Sequence, residues 1–251
     1  MKVVVVTPYY RESDELLLQC INSVFDQTKE CVHYLVSDGY PSGLIEERAR
    51  KAPNRVRHIK LDRSHNDFGN TPRSIGAMLG QVEQNPDSIC FLDADNWFDP
   101  IHIKECENAA RSRPGADYVI AKRRLVRPDG TPLPPLKNIV EDFTDTSCFF
   151  LLRGAFYTIR QWLTQPHPLK RYCDIVYGNY LRSEGLSFAS VKKTTVNYRT
   201  MWRAHYDDVG ETPPAAAKPG FDDSDLVSWW NKLTPKDKQI VERDLGYRPE
   251  I

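Results

Sequence analysis

The chain has 251 residues, 40% of them hydrophobic, with 34 lysines plus arginines against 34 aspartates plus glutamates. This length allows one or two domains, and the composition is typical of a globular protein and not of a disordered chain. The balanced charge argues against a nucleic-acid-binding protein, which usually carries a basic excess or a basic face.

The apolar stretches are short, so we expect no transmembrane segment, which needs about 18 consecutive apolar residues. The valines near the N-terminus are too few for the apolar centre of a signal peptide. The six cysteines are far apart and contain no Cys-x-x-Cys pair, which predicts free thiols and not a disulfide framework. We therefore expect a cytoplasmic protein.

Strands and helices alternate in the first half of the chain. Apolar, β-branched runs predict strands, and apolar residues at helical spacing predict helices. In chain order these are strand 2–7, helix 14–25 capped by Ser13, strand 31–36, helix 44–51, strand 56–61, a helix beginning at Thr71-Pro72, strand 88–92, helix 99–111 and strand 117–121. The alternation predicts an α/β fold with a doubly wound parallel sheet.

The second half has a looser pattern. It contains a turn at 128–131, a loop at 132–147, strand 148–152, helix 155–163, helix 174–183 and an extended segment at 187–198. Residues 207–224 are rich in Pro, Ala, Gly and Asp and are predicted to form a flexible loop that orders over a bound ligand. Two short helices follow, the second beginning at Thr234-Pro235.

Polar residues directly follow three predicted strands, at Thr7–Glu12, at Asp38 and at Asp93–Asp95. In open α/β sheets, ligands bind at the carboxyl ends of the strands. The carboxylates of Asp93 and Asp95 would repel each other there unless a cation lay between them, and Mg²⁺ or Mn²⁺ commonly bridges carboxylates to substrate phosphates. The alternative is a polar turn before a helix capped by Asp99.

Two other phosphate-handling classes do not fit the sequence. Phosphohydrolases of the haloacid-dehalogenase type place two such aspartates on the first strand, followed two residues later by threonine or valine, where this chain has Trp97. No Gly-x-x-x-x-Gly-Lys-Ser/Thr loop is present either, which argues against a P-loop kinase or ATPase.

Five segments, in order and in register, resemble family 2 glycosyltransferases. Val3–Glu12 is an apolar run before a Pro-x-Tyr-x-Glu loop, and Ile21–Thr28 is a helix ending in Gln-Thr. His33–Gly39 is a strand ending in Asp-Gly. Gly69–Gly76 is a Gly…Arg…Gly segment, and Phe91–Pro100 is an Asp-x-Asp block. The likeness covers roughly residues 1 to 105 and extends more weakly to 200. Arg11 and Ser37 depart from the family pattern, which has asparagine and aspartate there.

The resemblance implies a GT-A fold and a division of the chain. Residues 1–205 would form the glycosyltransferase domain, with the nucleotide-sugar bound by 1–121 and the acceptor by 122–205. Residues 206–251 would form a flexible loop and C-terminal helices packed on the same domain.

The resemblance also implies a nucleotide-sugar donor, most often a UDP-sugar, held with Mn²⁺ or Mg²⁺. Asp38 would bind the base, Asp93 would face the ribose and Asp95 would hold the metal on the diphosphate. The complete set of implied nucleotide-binding residues is Thr7, Pro8, Tyr10, Glu12, Asp38, Arg73, Asp93, Ala94 and Asp95.

Sugar transfer also needs a base that takes the proton of the acceptor hydroxyl. In the family this is an acidic residue at the start of a later helix, the position of Asp174, for which a plain helix cap is the alternative. Asp145 and Asp142 are the next candidates for the base. His205 follows a Tyr-Arg pair, as a metal ligand does in some relatives, and is otherwise a packing residue.

The sequence thus predicts an inverting, metal-dependent hexosyl- or N-acetylhexosaminyltransferase that moves a sugar from a UDP-sugar to a saccharide, lipid-linked or other hydroxyl acceptor. Two alternatives stay open. One is a nucleotidyltransferase, although Thr7–Glu12 lacks the glycine and lysine that such enzymes carry after the first strand. The other is an inactive nucleotide-sugar-binding protein.

Overall fold

The structure is a computed structural model that describes residues 1–139, 144–220 and 223–249. The strands in these ranges are β1 Val3–Tyr9, β2 Cys31–Ser37, β3 Val56–Lys60, β4 Ser88–Phe91, β5 Trp97–Phe98, β6 Tyr118–Val126, β7 Phe149–Leu152 and β8 Phe188–Arg199. The α-helices are α1 Asp14–Phe25, α2 Gly43–Lys51, α3 Asn70–Gln84, α4 His102–Ser112, α5 Gln161–Thr164, α6 Cys173–Ser183, α7 Arg203–Val209, α8 Ser224–Lys232 and α9 Pro235–Leu245.

The described strands form one sheet in the order β3-β2-β1-β4-β7-β6-β8-β5. Strands β1 to β4 pair in parallel, and so do β6 and β8, which confirms the predicted α/β class. β7 is antiparallel to both β4 and β6, and β5 is antiparallel to β8. Between β6 and β7, residues 127–139 and 144–148 contain no α-helix, and an antiparallel pair needs no crossover helix, unlike a parallel pair.

The buried strand β1 shows why the sheet is covered on both faces. Val3 and Val5 pack with Cys20 and Val24 of α1, whereas Val4 and Val6 pack on the opposite face. Alternate residues of a strand point to opposite faces, so a run of valines indicates two apolar layers. The run brings the polar residues that follow it to the edge of the sheet.

Two helices do not begin where the sequence predicts: α3 begins earlier and α4 begins later. α3 begins at Asn70, after Gly69 with a φ of +80°, and Thr71 does not cap it, because its amide and hydroxyl both donate to the carboxylate of Asp67. α4 begins at His102 because the Asp99 carboxylate accepts from Asn197 and Arg124 instead of capping a helix. The predicted helix 155–163 is a 3₁₀ segment, Arg153–Arg160, followed by the short α5.

The C-terminal helices pack on α6 through an apolar cluster of Leu169, Val176, Leu226 and Leu245. The loop before them is tied down at Lys218, whose amide donates to the carbonyl of Met201 over 2.6 Å. All six cysteines are buried and free, as predicted. Within the described parts of the chain, no helix is long and apolar enough to cross a membrane.

Candidate active site

A cavity of about 790 Å³ lies where β1, β2 and β4 end. Nine of the predicted site residues line it: Pro8, Tyr10, Glu12, Asp38, Arg73, Asp93, Ala94, Asp95 and Asp174. The topology therefore brings together residues that are spread over 167 positions of the sequence.

The loop after β1 forms an aromatic rim. The guanidinium of Arg11 lies 3.9 Å from the ring centre of Tyr40 and 5.1 Å from that of Tyr10. The two tyrosine rings meet edge to face, with their centres 4.7 Å apart. The amide of Tyr10 donates to the carboxylate of Glu12 over 2.7 Å, which fixes the turn of this loop. Arg11, which stands where the family pattern has asparagine, therefore packs against both tyrosine rings.

Asp38 is buried after β2 and is held by the segment that precedes α3. Its carboxylate contacts Nδ1 of His65 at 2.6 Å and accepts from the His65 amide and the Ser64 hydroxyl. In the same segment Asn66 and Phe68 have φ values of +49° and +59°, which are uncommon for residues other than glycine. Such backbone conformations cluster at ligand sites.

Arg73 is buried beneath the Asp-x-Asp turn. Its Nη2 donates to the Asp93 carboxylate over 2.8 Å, its Nη1 donates to Asn70 over 3.0 Å, and its guanidinium lies 4.9 Å from the ring centre of Trp162. A fixed guanidinium that also pairs with a carboxylate can bind a diphosphate without first being ordered.

Asp95 is held next to other negative charges. Burial and the nearby carboxylates of Asp93 and Glu12 raise the pKa of Asp95 to about 7. The backbone of this turn is fixed on two sides, because the Asp93 amide donates to the Ser147 hydroxyl and Arg199 donates to the Asp95 carbonyl. The fixed turn therefore holds the Asp95 carboxylate at a position where its ionised form is disfavoured.

This acidic cluster fits a divalent cation. Bringing Mg²⁺ or Mn²⁺ to Asp95 would favour the ionised carboxylate that its neighbours disfavour. Among the described residues, no group of three or more His, Cys, Asp and Glu side chains is arranged to hold a metal. The protein would thus supply one or two ligands and leave the others to substrate phosphates and water, which is the usual way that Mg²⁺ binds.

Asp174 lies in the first turn of α6, and not at its cap, because Tyr172 is the N-cap residue. The Asp174 carboxylate accepts from the Ile175 amide over 2.8 Å. Burial and the charge of Asp145 raise the pKa of Asp174 to about 7. A carboxylate with that pKa can both hold and release a proton near neutral pH, as a general base must.

Asp145 lines the same cavity. Burial raises its pKa to about 6, although Arg123, with Nη1 3.4 Å from its carboxylate, opposes the rise. Asp142, the other alternative base, lies outside the described residues.

Two predicted residues do not line the cavity. The Thr7 hydroxyl is buried and contacts Nε2 of His33 at 2.8 Å, and Nδ1 of His205 contacts the Thr200 hydroxyl at 2.7 Å. Neither arrangement tests the predicted nucleotide or metal contact, so both stay predictions.

Other residues line the cavity as well, and among them only Trp202, beside Arg199 and Arg203 in the sequence, stood out as a possible contact of the diphosphate or a sugar. They lie in the segment before α3, in the turn before α6, near the end of β8 and in the segment after it: Asn66, Asp67, Phe68, Arg171, Tyr172, Tyr198, Trp202 and Lys218.

Comparison with known proteins identifies the chain's family. Residues 4–177 match the family described as Glycosyl transferase family 2. The chain belongs to this family. Over 103 residues it is 34% identical to the succinoglycan biosynthesis protein ExoW of Rhizobium meliloti (strain 1021), a match that covers 41% of this chain and 32% of ExoW. The matched part is thus about a third of that relative's length.

Solved structures of S. aureus TarS share the fold. TarS 1-349 in complex with UDP has a TM-score of 0.59 at 16% identity, over 83% of this chain and 63% of that one. TarS 1-349 in complex with UDP-GlcNAc has a TM-score of 0.56 at 14% identity, over 98% and 72%. Together with the family membership, this likeness confirms the predicted GT-A fold.

Proposed function

We propose that the protein is a metal-dependent, inverting glycosyltransferase that moves a hexose or N-acetylhexosamine from a UDP-sugar to a hydroxyl acceptor. The observation that carries the proposal is that Asp174, Arg73 and the Asp93–Asp95 turn line one cavity. UDP and UDP-GlcNAc bound to TarS, which has the same fold, support the choice of donor.

The donor half of the reaction needs its leaving group stabilised. Transfer breaks the bond between the sugar carbon and the diphosphate, and negative charge grows on the diphosphate. Arg73 would bind that charge, and Asp95 would hold the cation. When bound, the divalent cation supplies further positive charge to the leaving diphosphate.

The acceptor half needs a base. Asp174 in its ionised form would take the proton of the acceptor hydroxyl as the oxygen attacks the sugar carbon. A single displacement of this kind inverts the configuration of that carbon. Asp145, buried beside Arg123, would raise the proton affinity of Asp174 through its charge and so make it a stronger base.

The division of labour within the chain follows from these roles. We propose that residues 1–121 bind the donor and that residues 122–205 carry the acceptor and its base, with 206–251 packed on the same domain. Thr7 would contact the nucleotide from within β1, and His205 would bind the metal through Nε2 while its Nδ1 keeps the contact with the Thr200 hydroxyl.

The test is release of UDP from a panel of UDP-hexoses and UDP-N-acetylhexosamines, with Mn²⁺ and with EDTA. Slow donor hydrolysis by water gives a signal even without the acceptor. We expect Mn²⁺-dependent UDP release from one donor and less from Asp174→Asn. Tight UDP binding with no release from any donor would instead indicate an inactive binding protein.

A further inference from the structure

A second cavity, of about 680 Å³, lies beside the first. Tyr172 and Ile175 line both cavities, so the two share a wall. Asp174 lies between these two residues in the chain and lines the first cavity. The second cavity is therefore next to the proposed base, and the donor and metal roles given above do not use it.

The walls of the second cavity are of mixed character. Leu169, Val176 and Leu226 form an apolar part, and Asn179, Ser183 and Arg182 face it from the other turns of α6 and its C-terminal end. Its volume falls within the ~300–1,000 Å³ of ordinary small-molecule sites. A sugar has apolar C–H faces and hydroxyl edges and so matches such a lining, whereas a lipid tail would need walls that are apolar throughout.

The two cavities differ in the charge of their lining. Among the described residues, seven carboxylates and three cationic side chains line the first cavity: Glu12, Asp38, Asp67, Asp93, Asp95, Asp145 and Asp174, with Arg73, Arg171 and Lys218. The second is lined by Arg182 and Arg248 and by a single carboxylate, Asp223, which accepts a hydrogen bond from Tyr172. The first cavity is thus acidic and the second basic.

The arginines are placed to meet a ligand. Arg182 donates from Nη2 to the side-chain oxygen of Asn179, and both residues line the cavity. The Nε of Arg248 lies 3.5 Å from the carboxylate of Glu242, which does not line the cavity. Arginine binds carboxylate and phosphate groups in a bidentate manner.

We propose that the second cavity binds the acceptor, and that the acceptor is a saccharide with an anionic group, a carboxylate or a phosphate, held by Arg182 and Arg248. This inference rests on the proposed function, in which Asp174 receives the reacting hydroxyl. Once the donor is bound, the carboxylates and the diphosphate of the first cavity repel a second anion, so the charged group of the acceptor turns to the arginines and its neutral hydroxyl to Asp174. The charge difference thereby selects the acceptor and orients it.

The experiment measures the binding of three related disaccharides to the protein saturated with UDP and Mn²⁺. The probes are cellobiose, cellobiouronic acid and cellobiose 6-phosphate, followed by nuclear magnetic resonance titration. The variants are Arg182→Gln and Arg248→Gln, and the matched control is Arg243→Gln, an exposed arginine that pairs with its neighbour Asp244 and does not line the cavity. Thermal unfolding checks that each variant folds.

We expect at least one anionic probe to bind more tightly than cellobiose, and the better one identifies the anion as carboxylate or phosphate. Each cavity substitution should weaken that probe by about two- to fivefold, the range for exposed ion pairs, while Arg243→Gln leaves it unchanged. Equal binding of all three probes, no binding of either anion, or an equal effect of the control would overturn the inference. Failure of the wild type to bind UDP would instead count against the proposed function.

Discussion

The guanidinium of Arg199, the last residue of β8, donates from Nε to the backbone carbonyl of Asp95 over 3.1 Å. A second nitrogen donates to the carbonyl of Pro128 over 2.6 Å, and the group lies 5.1 Å from the ring centre of Trp97. Arg199 therefore fixes the Asp-x-Asp turn against the end of β8 and against the segment that contains Pro128. The turn is placed by a residue more than one hundred positions away in sequence.

Replacing Arg199 with lysine should loosen this turn while keeping the positive charge. A lysine ammonium cannot reproduce the several fixed donors of a guanidinium, and loss of such hydrogen bonds costs about 1–3 kcal/mol. We expect Mn²⁺-dependent UDP binding to weaken by about tenfold and the melting temperature to fall by a few degrees. Calorimetric titration and thermal unfolding measure both, with Arg243→Lys as the control. Wild-type UDP affinity in Arg199→Lys would show that the turn does not depend on this contact.

Replacing Asp95 with asparagine should stabilise the metal-free fold, although it removes a proposed metal ligand. The pKa of Asp95 is raised from 3.8 to about 7, so its contribution to folding is present below its unfolded pKa and is lost as the pH rises through 7. Above pH 7 the ionised carboxylate therefore destabilises the metal-free fold, and asparagine should raise the melting temperature by several degrees at pH 8.

The same Asp95→Asn variant should lose metal-dependent UDP binding, because an amide carries no charge for the cation. The control is Asp26→Asn, at the exposed C-terminal end of α1. Titration of UDP with and without Mn²⁺ is the measurement, and an unchanged effect of Mn²⁺ would remove Asp95 from the site.

Two buried histidines should make the fold sensitive to acid. Burial lowers the pKa of His33 and of His102 to about 3, and their ring nitrogens contact the hydroxyls of Thr7 and Thr195. Between pH 6.5 and 3 the unfolded chain binds protons that the folded chain does not, so stability is complete above 6.5 and is lost as the pH falls.

The slope for each histidine is about 1.4 kcal/mol per pH unit. We expect His102→Gln to show a weaker loss of unfolding free energy between pH 6.5 and 5 than the wild type. Urea unfolding at the two pH values measures this. Parallel losses in both proteins would mean that His102 is protonated in the folded state.

The rate of sugar transfer should depend on the ionisation of Asp174. Burial and the charge of Asp145 raise its pKa to about 7, and a base acts only in its deprotonated form. We expect kcat to fall about tenfold per pH unit below pH 7 and to level off above it. Asp145→Asn should move this midpoint to lower pH, since it removes a like charge. A flat profile from pH 5 to 8 would exclude Asp174 as the base.

The sequence was most informative where residue type and position have a direct physical meaning. The valines of β1 predict a strand buried on both faces, and Asp38 and Asp95 follow strand ends, which the fold brings to one edge. These regularities are local, so they can be read without the rest of the molecule. They account for the fold class and for most of the predicted cavity lining.

What could not be predicted depends on contacts between distant segments. The start of α3 at Asn70 needs the left-handed backbone of Gly69 and the Asp67 carboxylate, which also pairs with Lys170. The direction of β7 could not be predicted, because the sequence at 132–147 before it has no period that indicates a helix or a strand. Lys218 reaches the cavity only because its backbone pairs with Met201. No pattern along the chain contains this information.

The most direct test of the account is the effect of Asp174→Asn on the turnover of sugar transfer and on UDP affinity. Asparagine fits the same space and can still accept from the Ile175 amide, so the first turn of α6 should be kept. As the general base, Asp174 predicts a fall in kcat of about a hundred- to ten-thousand-fold with Mn²⁺-dependent UDP affinity nearly unchanged. Retained turnover in Asp174→Asn would contradict the account and assign the base to another carboxylate, with Asp145 next.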